Sequence, residues 1–179
     1  ALTGEVLQAG LKRGIPWREI AQRVEHSVEN DACFYAPRLA RVLFFERCFE
    51  FADAVGEPQD GDGAMIFVAL GEGGVELDLA AWAPPRPPAT WLGRAALLGA
   101  ENLYRYQPFD TPILVHFEVE AYLRHACRGV LVLDEQRAAE TLRRCPRLAV
   151  EDVADLRRLE PLLRPHLPEV AVREDRRRG

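Results

Sequence analysis

Lysine is almost missing from this chain: Lys12 is the single one among 23 basic side chains. Set beside the abundance of alanine, that arginine usage reflects the codons of a GC-rich, bacterial-type genome rather than phosphate recognition. A net charge of −5 argues against a generally basic nucleic-acid binder. Apolar runs are short, and none approaches the roughly 18 residues needed to span a bilayer. Residues 1–12 lack a basic start followed by an apolar core, so they read as an amphipathic helix and not as a secretion signal. The expected location is the cytoplasm.

Metal-ligand spacings are also missing. The four cysteines, Cys33, Cys48, Cys127 and Cys145, form no C-x-x-C pair. His26, His116, His125 and His166 are scattered. His125 and Cys127 are close in sequence, but two residues apart on a helix they face nearly opposite ways and make poor joint ligands. In a reducing cytosol the thiols are expected to be buried, unpaired core residues.

What is present is ordinary globular material: 179 residues, 48% hydrophobic and 28% charged. That suits an α/β domain with an appendage, or two small domains. The expected fold is α/β, or α+β, with an N-terminal helical unit over 1–56 and a connector over 57–63. An α/β unit over 64–170 and a disordered polar tail over 171–179 complete it. In the first part, Thr3 is placed to cap a helix that ends at Gly14, and Pro16 sits at a first helical position. Trp17, Ile20, Ala21 and Val24 then give one apolar helical stripe. A third helical region is expected over 28–55, broken near Pro37, because Leu39, Val42, Phe45, Phe49 and Ala52 keep a helical period.

The period changes after Gly63. Strands over 65–70 and 75–81, joined by Gly71-Glu72-Gly73-Gly74, predict a β-hairpin, since glycine permits the positive φ of tight turns. The run Pro84-Pro85-Arg86-Pro87-Pro88 reads as a rigid connector. Thr90 is expected to cap a short helix ending at Gly99. Further on, strands over 113–116, 130–133 and 148–150 alternate with helices. The first helix should end at Gly129, the second at Pro146, and the third should break at Pro161. Strand–helix alternation at this spacing predicts a short parallel βαβαβα sheet.

The sharpest candidate site lies at the ends of those strands. Glu118 and Glu120 follow the first, Asp134 the second, and Glu151 and Asp152 the third. Parallel neighbours would gather these carboxylates at the carboxyl edge, where open α/β sheets bind ligands. Asp134, Glu151 and Asp152 are the candidate ligands for Mg²⁺, a hard cation suited to phosphoryl chemistry. The competing reading is that Asp134 and Asp152 are helix N-caps, which their positions before residues 135–144 and 153 favour. In toprim nucleotidyl-transfer domains a glutamate follows the first strand and an Asp-x-Asp follows a later one. Asp134-Glu135-Gln136 departs from that pattern by lacking the second aspartate, so the chain is not assigned to the family.

Residues 12–28 resemble the entry to a helix-turn-helix, with Ile15-Pro16-Trp17 opening its first helix. The segment that would read bases, 27–35, is acidic and then aromatic, which disfavours DNA. The expected function is therefore a non-enzymatic interaction or regulatory module that engages a partner protein through its N-terminal helices. The alternatives are a Mg²⁺-dependent enzyme on phosphoryl or nucleotide substrates, and a helix-turn-helix DNA-binding protein. No cofactor other than Mg²⁺ is implied.

Overall fold

A computed structural model describes residues 14–22, 35, 37–52, 61–104 and 111–164, which form a mix of helices and strands. Five strands close a barrel: β1 (Arg38–Phe45), β2 (Cys48–Phe51), β3 (Asp62–Leu70), β4 (Glu76–Trp82) and β5 (Ala89–Thr90). Their order around the barrel is β1-β2-β5-β4-β3.

The first hairpin corrects the expectation of a helix over 28–55. β1 and β2 pair antiparallel, with Phe45 opposite Cys48 and Val42 opposite Phe51. Leu39, Val42 and Phe45 do fit a helical period, but that spacing is incidental. Val42 is fully buried and Ala40 and Phe44 are partly buried, whereas Leu39 and Phe45 are exposed. The inward set therefore has period two, and aromatic and β-branched residues favour a pleated surface. β1 also pairs with β3, Val42 opposite Asp62. The ladder thus passes across the 57–63 stretch, and residues 62 and 63 belong to β3 rather than to a connector. Within 1–56, the described helical residues are those of α1, at 17–22, and Ala52. Its Trp17 and Ile20 are buried while Ala21 is exposed. Residues 1–13, with Thr3 and its helix, and the tail at 171–179 lie outside the described residues.

The barrel interior holds Val42, Phe49, Ala64, Ile66, Ala81 and Ala89. Three alanines in so small a cylinder leave room for the phenylalanine. The opposite faces of β3 and β4 are buried too: Met65, Phe67, Ala69, Ala80 and Trp82 join Ile15, Trp17 and Ile20 in a second core. Burial on both faces explains why the sequence from Ala64 to Leu70 is continuously apolar instead of alternating. β3 and β4 are joined by a 3₁₀ turn, Glu72–Gly74, with Gly73 at φ 75°. The proline run connects β4 to β5, and the Pro84–Pro85 bond is cis.

Thr90 does not cap a helix. It lies in β5, and residues 91–95 continue as a loop, because the Asp78 carboxylate captures the backbone N–H groups of that stretch. The chain then enters a second sheet, β6-β8-β7-β9. Its strands are β6 (Leu97–Leu98), β7 (Ile113–His116), β8 (Val130–Val132) and β9 (Leu148–Ala149). β7 pairs parallel with both β8 and β9, and β6 is antiparallel to β8.

The helices here are α2 (Glu101–Tyr104), α3 (Val119–Arg124), α4 (Glu135–Arg143) and α5 (Val153–Leu163). One sheet face meets α4 and α5 through Val115, Val132, Ala138, Leu142 and Leu159. The other meets the barrel through Leu98, Leu131, Leu123 and Tyr122. Two boundaries differ from expectation. α3 stops at Arg124, before the expected Gly129, because Ala126 and Cys127 take positive φ values of 52° and 58°. α5 runs through Pro161, which falls in its last turn, where few following bonds remain to be disturbed. The cysteines need one correction. Cys127 is buried and Cys145 partly so, but Cys48 is exposed on the barrel; none of the three is in a disulfide. Cys33 lies outside the described residues.

Candidate functional site

The carboxyl ends of β7, β8 and β9 open into a groove of about 950 Å³. One wall is the barrel: Glu46 and Arg47 from the β1–β2 turn, Trp82, and the strap from Pro84 to Pro88. The other is the first turn of α3, with Phe117, Glu118 and Glu120, together with Glu135, Glu151, Asp152, Asp155 and Arg158. Seven carboxylates face four guanidiniums around this groove. Its size falls in the range of ligand sites, and its character is charged rather than apolar.

The parallel arrangement does bring the strand-end carboxylates to this edge: Glu118, Glu120, Glu151 and Asp152 all line the groove. Asp134 opens instead onto an adjoining cavity of about 190 Å³, beside Arg47, Cys48 and Arg137. Each of the three candidate metal ligands already has a partner of its own. Asp134 caps α4, accepting from the Arg137 N–H at 3.1 Å, and its other oxygen lies 3.1 Å from Arg47 Nη2. Asp152 caps α5, accepting from the Asp155 N–H at 2.8 Å. Glu151 lies 3.7 Å from Arg124 and 3.6 Å from His125 Nε2. Among the described residues, no group of three or more His, Cys, Asp and Glu side chains is placed to hold a metal ion.

The centre of the acidic wall is Arg158, which the sequence did not single out. Its guanidinium lies 4.4 Å over the Phe117 ring. It donates to Glu135 at 2.8 Å and to Glu118 at 3.2 Å. Burial works against its charge, but the bonds and charge of Glu135, and then of Glu118, outweigh it and hold the group above its ordinary value. Asp155 is shifted upward, first by burial and then by the charge of Asp152, with Arg158 opposing. An arginine three residues after Asp155 and a phenylalanine before Glu118 are ordinary in sequence. Only the fold brings them together.

Two buried polar side chains were also missed. Asp78 on β4 is 5% exposed and accepts four backbone N–H bonds, from Leu79, Leu92, Arg94 and Ala95. His116 closes β7 with no exposure at all. The signal for Asp78 was available: an aspartate inside an otherwise apolar strand demands an internal partner.

As for the helix-turn-helix reading, Trp17 and Ile20 of α1 pack into the core between barrel and sheet, and residues 23–34 lie outside the described residues. No helix in the described residues is long and apolar enough to cross a membrane. No protein family, curated protein or solved structure matches this chain.

Proposed function

We propose that this protein is a non-enzymatic binding module whose groove takes a positively charged segment of another protein. One observation carries the reading: the groove at the strand ends has an excess of carboxylates, seven against four guanidiniums. Such a surface attracts cations and repels phosphate, which disfavours nucleic acids and free nucleotides. The proline strap and Trp82 supply a stiff apolar wall against which an extended backbone can lie. This moves the contact from the N-terminal helices to the groove.

Fluorescence anisotropy with short arginine-rich peptides and their acidic counterparts tests it. The basic peptides should bind, with affinity falling as salt rises, and Glu46→Gln with Glu151→Gln should weaken binding about tenfold. Equal binding of acidic peptides, or binding indifferent to salt, contradicts it. A second reading, a Mg²⁺-dependent enzyme on phosphoryl substrates, rests on the placement of Glu151 and Asp152 in the groove. Against it, Asp134 and Asp152 are engaged as helix caps. Stabilisation by Mg²⁺ that Asp152→Asn or Glu151→Gln abolishes would favour that second reading.

A further inference from the structure

His116 lies at the carboxyl end of β7 and is fully buried. One ring nitrogen, Nε2, stands 3.0 Å from the Arg128 carbonyl oxygen. A carbonyl oxygen only accepts, so Nε2 carries the proton and donates. That leaves Nδ1 as a bare acceptor, and it is buried without a partner. The ring packs edge-on against Tyr122, with centroids 5.7 Å apart, and tilted against His125 at 5.1 Å.

The bond to Arg128 fastens a stretch held in an unfavourable shape. Ala126, Cys127 and Gly129 have φ values of 52°, 58° and 81°, and the first two are not glycine. A second tie comes from Asn102, whose side-chain N–H donates to the Gly129 carbonyl at 2.7 Å. The residues just before the turn reach the groove, where Arg124 faces Glu151.

A proton added at Nδ1 would create a buried imidazolium with no acceptor for it. The charged and titratable groups facing it are His125 and Arg124, which repel it, and Glu151, which attracts it but is already shared between those two. We infer that His116 is an acid-sensitive latch whose protonation frees the 125–129 turn from β7 and loosens the Arg124–Glu151 side of the groove. Burial is the main reason its pKa is lowered to about 4. The Arg128 bond opposes that shift, and His125 reinforces it. Because the closed pKa lies below the ordinary value of 6.5, the closed turn is stable above that value. It gives way as pH falls through the window down to about 4.

Amide hydrogen exchange on the full chain tests this, after division by the intrinsic rate at each pH. The amides of His125, Ala126 and Cys127 donate back to the α3 carbonyls of Ala121, Leu123 and Tyr122, and that of Arg128 to His125, so all four report the release of the turn. Between about pH 7.5 and about pH 4.5 their opening constant should rise roughly seventyfold, ahead of the core amides of Val115 and Leu131. His116→Gln keeps a donor near the Nε2 position without a titrating ring, and should flatten that rise. The latch is overturned if the turn exchanges only together with the core amides, or if His116→Gln keeps the full pH response. Should His116→Gln fail to fold, imidazole NMR of the wild-type chain decides. A ring that stays in the Nε2–H form to about pH 4, with turn amides shifting alongside it, supports the latch. Titration near pH 6.5 with unmoved turn amides overturns it.

Discussion

The carboxylate of Asp78 accepts the backbone N–H of Arg94 at 2.7 Å, joining a barrel strand to the loop that leads into the second sheet. With Leu92 and Ala95 also donating to it, the same side chain replaces the partners that a helix would have given these amides. Asp78→Ala should cost about 3–5 kcal/mol, since it strands several buried donors at once. Asp78→Asn should cost less, because one oxygen acceptor remains. Urea denaturation monitored by far-ultraviolet circular dichroism measures both, and an Ala variant within about 1 kcal/mol of wild type would refute the role.

At Asp134 the test separates capping from metal binding. Asp134→Asn should leave stability nearly unchanged, because asparagine caps as well and the lost partner, Arg47, is exposed. Asp134→Ala should cost about 1 kcal/mol. Melting temperatures of all three proteins are expected to be indifferent to millimolar Mg²⁺. A wild type stabilised by Mg²⁺ through Asp134 would overturn the cap as its main role.

Asp155 should respond to pH in the opposite sense to His116. Its pKa is raised above 3.8 by burial and by Asp152, so the folded state holds the proton longer than the unfolded chain does. Stability from this group is present below that value and lost as pH rises past it. Asp155→Asn should therefore raise the melting temperature at neutral pH and leave it unchanged at about pH 3. An equal effect at both pH values would rule out a titrating origin.

Gly129 admits no side chain. Its φ is 81°, and a Cβ there would lie 2.1 Å from the Leu114 carbonyl oxygen. Gly129→Ala is expected to lose at least about 3 kcal/mol or to prevent soluble folding, because both the strain and the collision involve backbone. A variant with near-native melting behaviour would show that β7 and the turn can separate at little cost.

The thiols should react in an order set by exposure. Cys48 is exposed and Cys127 buried, so a chromogenic disulfide reagent should label Cys48 promptly in the native protein and Cys127 only on unfolding. Peptide mapping after brief labelling gives the order directly.

The strands at Ile113–His116 and Val130–Val132 were legible because short apolar runs are bracketed there by turn residues and helical stripes. β1 was not, because five apolar residues happened to fit a helical period as well as a strand's, and only pairing across to Asp62 decides between them. The acidic edge was legible as a list of residues. Its chemistry was not, because Arg158, Phe117 and Arg47 arrive from distant parts of the chain. His116 gave no sequence signal at all: a histidine ending a strand looks the same whether it is buried or solvated.

The two sheets also differ in what they offer to other chains. Every barrel strand has two neighbours, but the closure is thin at β5, which meets β2 through the single pair Cys48–Thr90 and β4 through two pairs. The second sheet ends at β6 and β9, each only two residues long. Among the described residues, an incoming strand would find those two short rows and, where β5 stops short, the barrel seam beside β2. Growth of β-structured aggregates by edge addition should therefore start at the β5 seam, so the fibrillation lag should follow the rate at which β5 detaches and not that of global unfolding.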